Sequence, residues 1–435
     1  MSARDTALSA LIACRRANAW SDGVLREYIR RDGLDRRDAA LASRLCYGVL
    51  QNRMLLDFYI ASFLRGRLRD LQPAVLDILR LGVYQLVLSD RIPDQAAVNE
   101  AVEQAKRCAN SRAAGLVNGV LRNIARGRDK LPEPPDLATK YSHPAALTAL
   151  LREAVGDELL EPTLRCDNES PRTAVQVNTL KIAPAALRAH WEEAGIACES
   201  LPWQPGCLLL SGAGGVESLP GYAEGWFYVQ DPAARLAVSA AGLAPGMRVL
   251  DCCAAPGGKS FAAALAMENR GEILSCDIHP HKLKLIETGA ERLGVPILRT
   301  ALQDASVFQP EQENAFDAVL ADVPCSGLGV IRKKPDIRYK DLSALGQLPT
   351  VQAAILENVG QYVRPGGALL YSTCTILRRE NEDVVSAFLA SHPEFSAEPM
   401  ALPEALRLPN RGTATLIPCL HGTDGFFLAK LRKKS

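Results

Sequence analysis

From Thr6 to about Arg128 apolar residues recur at the period of an amphipathic helix, with Val98, Ala101, Val102 and Ala105 marking one face. The pattern predicts consecutive helices and an all-α first domain. The stretch from Leu71 to Leu88 is apolar on nearly every side, which predicts a central helix packed by its neighbours. Periodicity stops in LPEPPDLATKYSHP, beginning at Leu131, where proline and polar residues concentrate, so this segment reads as a linker. A helical stretch around Ala145 to Leu164, the alternating run TAVQVNTLKI from Thr173 and a helix near Pro184 to Ala194 predict a small α/β domain. The tract SGAGGVESLPGYAEG before Trp226 reads as a loop.

From about Phe227 the pattern changes. Short β-branched runs (RVLDC, EILSCD, FDAVLAD, ALLYST) alternate with helical segments, the signature of a parallel doubly wound sheet and a Rossmann-like α/β domain. The predicted boundaries are 1–130, 140–224 and 225–435.

Composition narrows the class. With 48% hydrophobic and 23% charged residues, neither disorder nor a fibrous repeat is favoured. The net charge of +1 hides an asymmetry: residues 1–140 carry 23 Lys and Arg against 16 Asp and Glu, a candidate phosphate-binding surface. No apolar run reaches the roughly 18 residues that span a bilayer, and charges interrupt the N-terminal segment where a signal peptide is apolar, so a cytoplasmic protein is expected. Twelve cysteines without a CxxC pair argue against a zinc ribbon, and in a reducing compartment against a disulfide framework; no metal is expected.

The run RVLD leads into CCAAPGGKS, where Gly257 and Gly258 precede a helix starting near Lys259. In a doubly wound sheet ligands bind beyond the carboxyl ends of the strands, and glycines let the backbone approach them. A phosphate loop needs a glycine where Cys253 stands, and a dinucleotide fingerprint is absent, so ATP and NAD are disfavoured. Asp277 ends the second run about 20 residues later, placed to accept hydrogen bonds from a ribose. With Asp304 after ILRTAL and Asp322 ending the fourth run, the strand ends form an acidic pocket suited to a sulfonium cation bearing an amino group.

Two cysteines follow adjacent strands, Cys325 in ADVPCSG and Cys374 in YSTCT. A pyrimidine C5 is a poor nucleophile. A thiolate adding to C6 makes it reactive, and a second thiol or carboxylate can assist when the C5 proton leaves and the thiolate is expelled. Lys259 and Arg332 are candidate cations for stabilising a thiolate, and Asp322 can hydrogen-bond the N3 and N4 edge of cytosine. Chemistry alone does not order the two thiols.

The set DCCAAPGGKS, Asp277, Asp304, ADVPCSGLGVIRKKPDIRY, RPGGALLYSTCT, ENED and DGFFLAKL resembles the RNA cytosine-5 methyltransferases. RLCYGVLQN, LDILRLGVYQLVL, AAVNEAVEQAK and GLVNGVLRN resemble the NusB fold. That pairing resembles the family members acting on bacterial 16S ribosomal RNA, which implies this RNA, naked or in a partly assembled small subunit, as partner, and S-adenosyl-L-methionine as cofactor. By motif, Cys253, Ala254, Ala255, Pro256, Gly257, Gly258 and Lys259 are implied to form the cofactor loop, with Asp277 on the ribose, Asp304 at the adenine edge and Asp322 on the cofactor or target base. The resemblance implies Cys374 as nucleophile and Cys325 as the residue aiding product release, whereas DNA cytosine-5 methyltransferases place the nucleophile in the Pro-Cys after the fourth strand. Cys252 stands where the family usually has a larger aliphatic residue, and Gln176 where an arginine is frequent. Arg332, Lys333, Lys334 and Arg338 are expected on a loop at the active-site rim, binding phosphates or stacking on a splayed base. The target cytosine must be unpaired or flipped.

Overall fold

The computed structural model describes residues 1–435 apart from 18, 90, 91, 212–214 and 410. Residues 212–214 belong to the glycine-rich tract, so that part of the loop reading lies outside the described residues. The chain packs as two compact units. One comprises Met1–Leu150, Asp157–Glu169 and Ile331–Lys340; the other comprises Leu151–Gly156, Ser170–Val330 and Asp341–Ser435.

The first unit is helical, as the periodicity predicts. Asp35 and Asn110 begin two of its helices by accepting hydrogen bonds from the backbone N–H groups of Asp38 and Ala113. The central helix is Pro73–Val87, opened by a proline where a missing N–H costs nothing. Ile78, Leu79, Leu81 and Val83 are all buried, so every face is covered. A Cβ at Gly48 would lie 2.1 Å from the Tyr84 ring, which is why the neighbouring helix carries glycine there. The segment expected to be an irregular linker contains a short helix, Leu137–Tyr141, because the Asp136 side chain caps it through the Thr139 N–H. The helix Ala145–Cys166 that follows is interrupted at Gly156, where φ is +77°.

The second unit holds two sheets. β1 (Thr173–Val177), β2 (Cys198–Leu201), β3 (Gln204–Leu210) and β4 (Phe227–Val229) form an antiparallel sheet in the order β2-β3-β1-β4, backed by the helix Pro184–Glu193. β1 stops at Val177 because the Asn178 side chain donates to the carbonyls of Gly225 (2.9 Å) and Leu293 (2.8 Å), which turns the chain. Trp191 and Phe227 meet edge to face at 5.0 Å in the small core.

The larger sheet contains β5 (Arg248–Asp251), β6 (Glu272–Asp277), β7 (Leu298–Leu302), β8 (Phe316–Asp322), β9 (Val363–Thr373), β10 (Phe395–Ala397), β11 (Thr413–Leu416) and β12 (Phe426–Lys433). Its order is β10-β12-β9-β8-β5-β6-β7, with β11 on β12. β5 to β9 pair in parallel, but β12 runs antiparallel to β9 and carries β10 and β11, so the expected all-parallel sheet is mixed. The closing DGFFLAKL segment supplies this antiparallel strand. Val249 and Leu250 enter different buried clusters because helices cover both faces of the sheet. The chain builds outward from β5 through β6 and β7, then resumes at β8 on the other side; a crevice opens where that direction reverses. No described helix is long and apolar enough to cross a membrane. Among the described residues no group of three or more His, Cys, Asp or Glu is arranged to hold a metal, the neighbouring His279 and His281 included.

Candidate active site

The β5–helix loop is pinned to both neighbouring strands. Cys252 N–H donates to the Leu320 carbonyl at 3.0 Å and Ala254 N–H to that of Cys276 at 2.8 Å, so the loop lies across the switch point. Cys252 is buried. Gly257 has φ +106°, and a Cβ there would lie 2.6 Å from the Phe261 ring, so no other residue fits the turn. Beneath the loop Asp251 is fully buried and accepts a 2.7 Å hydrogen bond from Ser260 Oγ, while its Oδ1 has no partner. Burial pushes its pKa up to about 6, against the lowering effects of Ser260 and Lys259.

The three predicted aspartates stand at the expected strand ends. Asp277 accepts from His279 N–H at 3.0 Å, with Lys282 3.8 Å away. Asp304 accepts from Ser306 Oγ (2.7 Å) and N–H (2.9 Å), bonds that hold its carboxyl below the usual range. Asp322 accepts from Lys259 Nζ at 2.6 Å and Ser372 Oγ at 2.8 Å. Burial alone would lower the Lys259 pKa; the charge and hydrogen bond of Asp322, helped by Asp251 and Cys374, outweigh it and raise it. A glycine cradle, an unpartnered buried carboxylate oxygen and two strand-end carboxylates fit a cationic adenosine-type methyl donor.

The structure brings the two thiols together. β8 and β9 are parallel neighbours, with Asp322 beside Ser372, so the residues after each strand emerge side by side. Gly329 N–H donates to the Cys374 carbonyl at 3.0 Å, which folds the PCSG loop back toward β9. Cys325 Sγ and Cys374 Sγ lie 3.2 Å apart, both part-exposed. The hydrogen bond to Cys374, then burial, raise the Cys325 thiol well above its ordinary range.

The basic run divides differently. Ile331–Lys340 packs with the first unit, whereas the thiols and the glycine loop belong to the second. Arg338 is 1% exposed and donates to the backbone carbonyls of Gln51 and Asp167. Its guanidinium is committed to the interior, so the expected phosphate contact at this position is corrected. Arg332 and Lys333 are part-exposed and Lys334 is exposed. Gln176 is also buried, donating to Gln204 Oε1 and the Gln230 carbonyl.

Sequence reasoning missed Gln352, Glu380 and Asn381, fully buried side chains bonded to the two cysteine loops. The ENED motif marked the latter two without assigning them a role.

The model of the 16S rRNA methyltransferase RsmB/F family matches residues 240–432, that of the NusB family residues 1–126, and that of the ferredoxin-like domain of RsmF/B-like methyltransferases residues 143–217. The chain is 37% identical to the probable ribosomal RNA small subunit methyltransferase B of Bacillus subtilis (strain 168), covering 100% of this chain and 99% of the relative. It is 34% identical to the ribosomal RNA small subunit methyltransferase B of Klebsiella pneumoniae subsp. pneumoniae, over 92% of this chain and 91% of that one. The crystal structure of PH0851 superposes with a TM-score of 0.81 at 26% identity, covering 99% of this chain and 98% of that one. With a NusB-like helical domain, a ferredoxin-like small domain and a methyltransferase domain matched in this order, the chain belongs to the 16S rRNA methyltransferase RsmB/F family.

Proposed function

We propose that this chain, an S-adenosylmethionine-dependent ribosomal RNA methyltransferase by family, methylates C5 of a specific cytosine in 16S ribosomal RNA through a transient bond from Cys374 to C6. The substrate is the naked RNA or a partly assembled small subunit in the cytoplasm, and domains spanning 1–130, 140–224 and 225–435 divide the work. The observation that carries the reading is the 3.2 Å approach of Cys325 and Cys374, with the charge of the part-buried Lys259 acting on Cys374.

A proton retained on Cys325 leaves any negative charge of the pair on Cys374, where the Lys259 ammonium favours it. Addition of that thiolate to C6 breaks the C5–C6 π bond and makes C5 nucleophilic. Cys253–Lys259, Asp277 and Asp304 would hold the donor, which would supply an electrophilic methyl group to C5 and leave as the neutral thioether. Loss of the C5 proton to a base then re-forms the double bond and expels the Cys374 thiolate, a step assisted by Cys325. Asp322 accepts from the cytosine N4 amine. Lys334, with Lys333 and Arg332, contacts RNA phosphate.

The test is methyl transfer from labelled donor to RNA and to DNA. Cys374→Ala abolishes transfer and forms no adduct, while Cys325→Ala accumulates a covalent protein–RNA adduct. The reverse assignment, or transfer to DNA alone, overturns the reading.

A further inference from the structure

Each thiol is flanked by residues that are held by Gln352 and by two side chains adjacent in sequence, Glu380 and Asn381. Cys325 lies between Pro324 and Ser326. Ser326 N–H donates to Glu380 Oε2 at 2.9 Å. Gln352 Nε2 donates both to the Pro324 carbonyl at 2.9 Å and to Glu380 Oε2 at 3.0 Å. Cys374 lies between Thr373 and Thr375. Thr373 Oγ1 donates to Asn381 Oδ1 at 2.6 Å, and Asn381 Nδ2 donates to the Thr375 carbonyl at 3.0 Å. A hydroxyl contact, Ser326 Oγ to Thr375 Oγ1 at 2.8 Å, joins the two loops beside the Gly329 N–H bond to the Cys374 carbonyl.

Glu380 is an expensive residue for mere packing. It is fully buried, its Oε1 has no hydrogen-bond partner, and among the described residues it makes no ion pair. A buried carboxylate without a cation destabilises a fold, and an apolar side chain of the same size would not. Every side-chain bond it does make ends at the Cys325 loop, directly or through Gln352. Its backbone is fixed independently, since Tyr371 OH donates to the Glu380 carbonyl at 2.5 Å.

We infer that Glu380, acting with Gln352, is the positioning residue of Cys325 and that Asn381 is the positioning residue of Cys374, so that neighbouring residues separately govern release and attack. The inference rests on the covalent-adduct reading above. A sulfur displaced by about 1 Å from its reactive position costs on the order of 100-fold in the step it serves, and the two steps have different signatures.

The experiment compares adduct formation on denaturing gels, turnover and thermal unfolding in the full-length protein with 16S ribosomal RNA. Glu380→Ala accumulates adduct and slows turnover on the order of 10- to 100-fold, as Cys325→Ala does. Glu380→Gln keeps an acceptor for Ser326 N–H and restores release to within a few-fold. Asn381→Ala slows adduct formation by a similar factor and accumulates none. Should Glu380→Ala fail to fold, Gln352→Met removes the donor to Pro324 at nearly constant volume and traps adduct in its place. Equal losses of adduct and turnover in both sets of variants, or no trapping in Glu380→Ala and Gln352→Met while Cys325→Ala traps, overturn the inference. If Cys325→Ala itself traps nothing, the covalent reading fails instead.

Discussion

Lys259 Nζ stands 2.6 Å from Asp322 Oδ2, with the two side chains only 11% and 30% exposed. The charge of this cation also acts on Cys374. Lys259→Met removes the charge that favours a thiolate, so the thiol pKa rises and the acid limb of the kcat/KM profile moves to higher pH. A displacement of about one unit corresponds to about 1.4 kcal/mol, or tenfold less activity on the acid limb. A pH–rate profile of the variant with an unmoved limb refutes the assignment.

Gly329 and Gly425 pack backbone against backbone. A Cβ on Gly329 would lie 1.9 Å from the Gly425 carbonyl oxygen, and that oxygen cannot swing aside as a side chain does. Gly329→Ala should cost about 1–3 kcal/mol in urea unfolding, and activity should fall further than stability, because Gly329 N–H holds the Cys374 carbonyl. Unchanged activity in a correctly folded variant contradicts this.

Asp251 has a folded pKa pushed up to about 6, above the usual carboxylate value, chiefly by burial. The folded state therefore binds this proton more tightly than the unfolded chain. The group's contribution to stability is complete below about pH 4 and is lost as pH rises through about 6. Asp251→Asn, which keeps an acceptor for Ser260, should be more stable than the parent protein above pH 7 by up to about 3 kcal/mol. The advantage should vanish near pH 4. Urea titrations across pH 4–8 without the methyl donor measure it, and a pH-independent difference rules it out.

Arg338 and Lys334 lie four residues apart with opposite fates, one buried on backbone carbonyls and one exposed. Arg338→Ala leaves two carbonyls without their charged donor and opens a cavity, so a loss of about 3–5 kcal/mol is expected. Lys334→Ala should leave the unfolding midpoint in place while weakening RNA binding and its salt dependence. Thermal unfolding and salt-dependent binding on both variants check this; an exchange of the two phenotypes refutes it.

Much of the fold was readable along the chain. Helical periodicity located the first domain and its central helix Pro73–Val87, and β-branched runs located β5 to β9, because both signals are local and the burial of one face imposes them. The antiparallel β12 was not recognised as such, since strand direction depends on partners 54 to 64 positions away and leaves no mark in composition. The Leu137–Tyr141 helix was missed because five residues carry too little periodicity to outweigh the prolines before them.

By itself the sequence determined the residue chemistry: two thiols after adjacent strands, a glycine turn and three strand-end aspartates. Only tertiary structure decided that the thiols meet at 3.2 Å, that Glu380 and Asn381 hold their loops, and that Arg338 turns inward. The physical reason is range. Glycine, cap and strand signals act over a few residues, whereas the approach of Cys325 to Cys374 spans 49 positions and is set by the β8–β9 register and the Gly329 hydrogen bond.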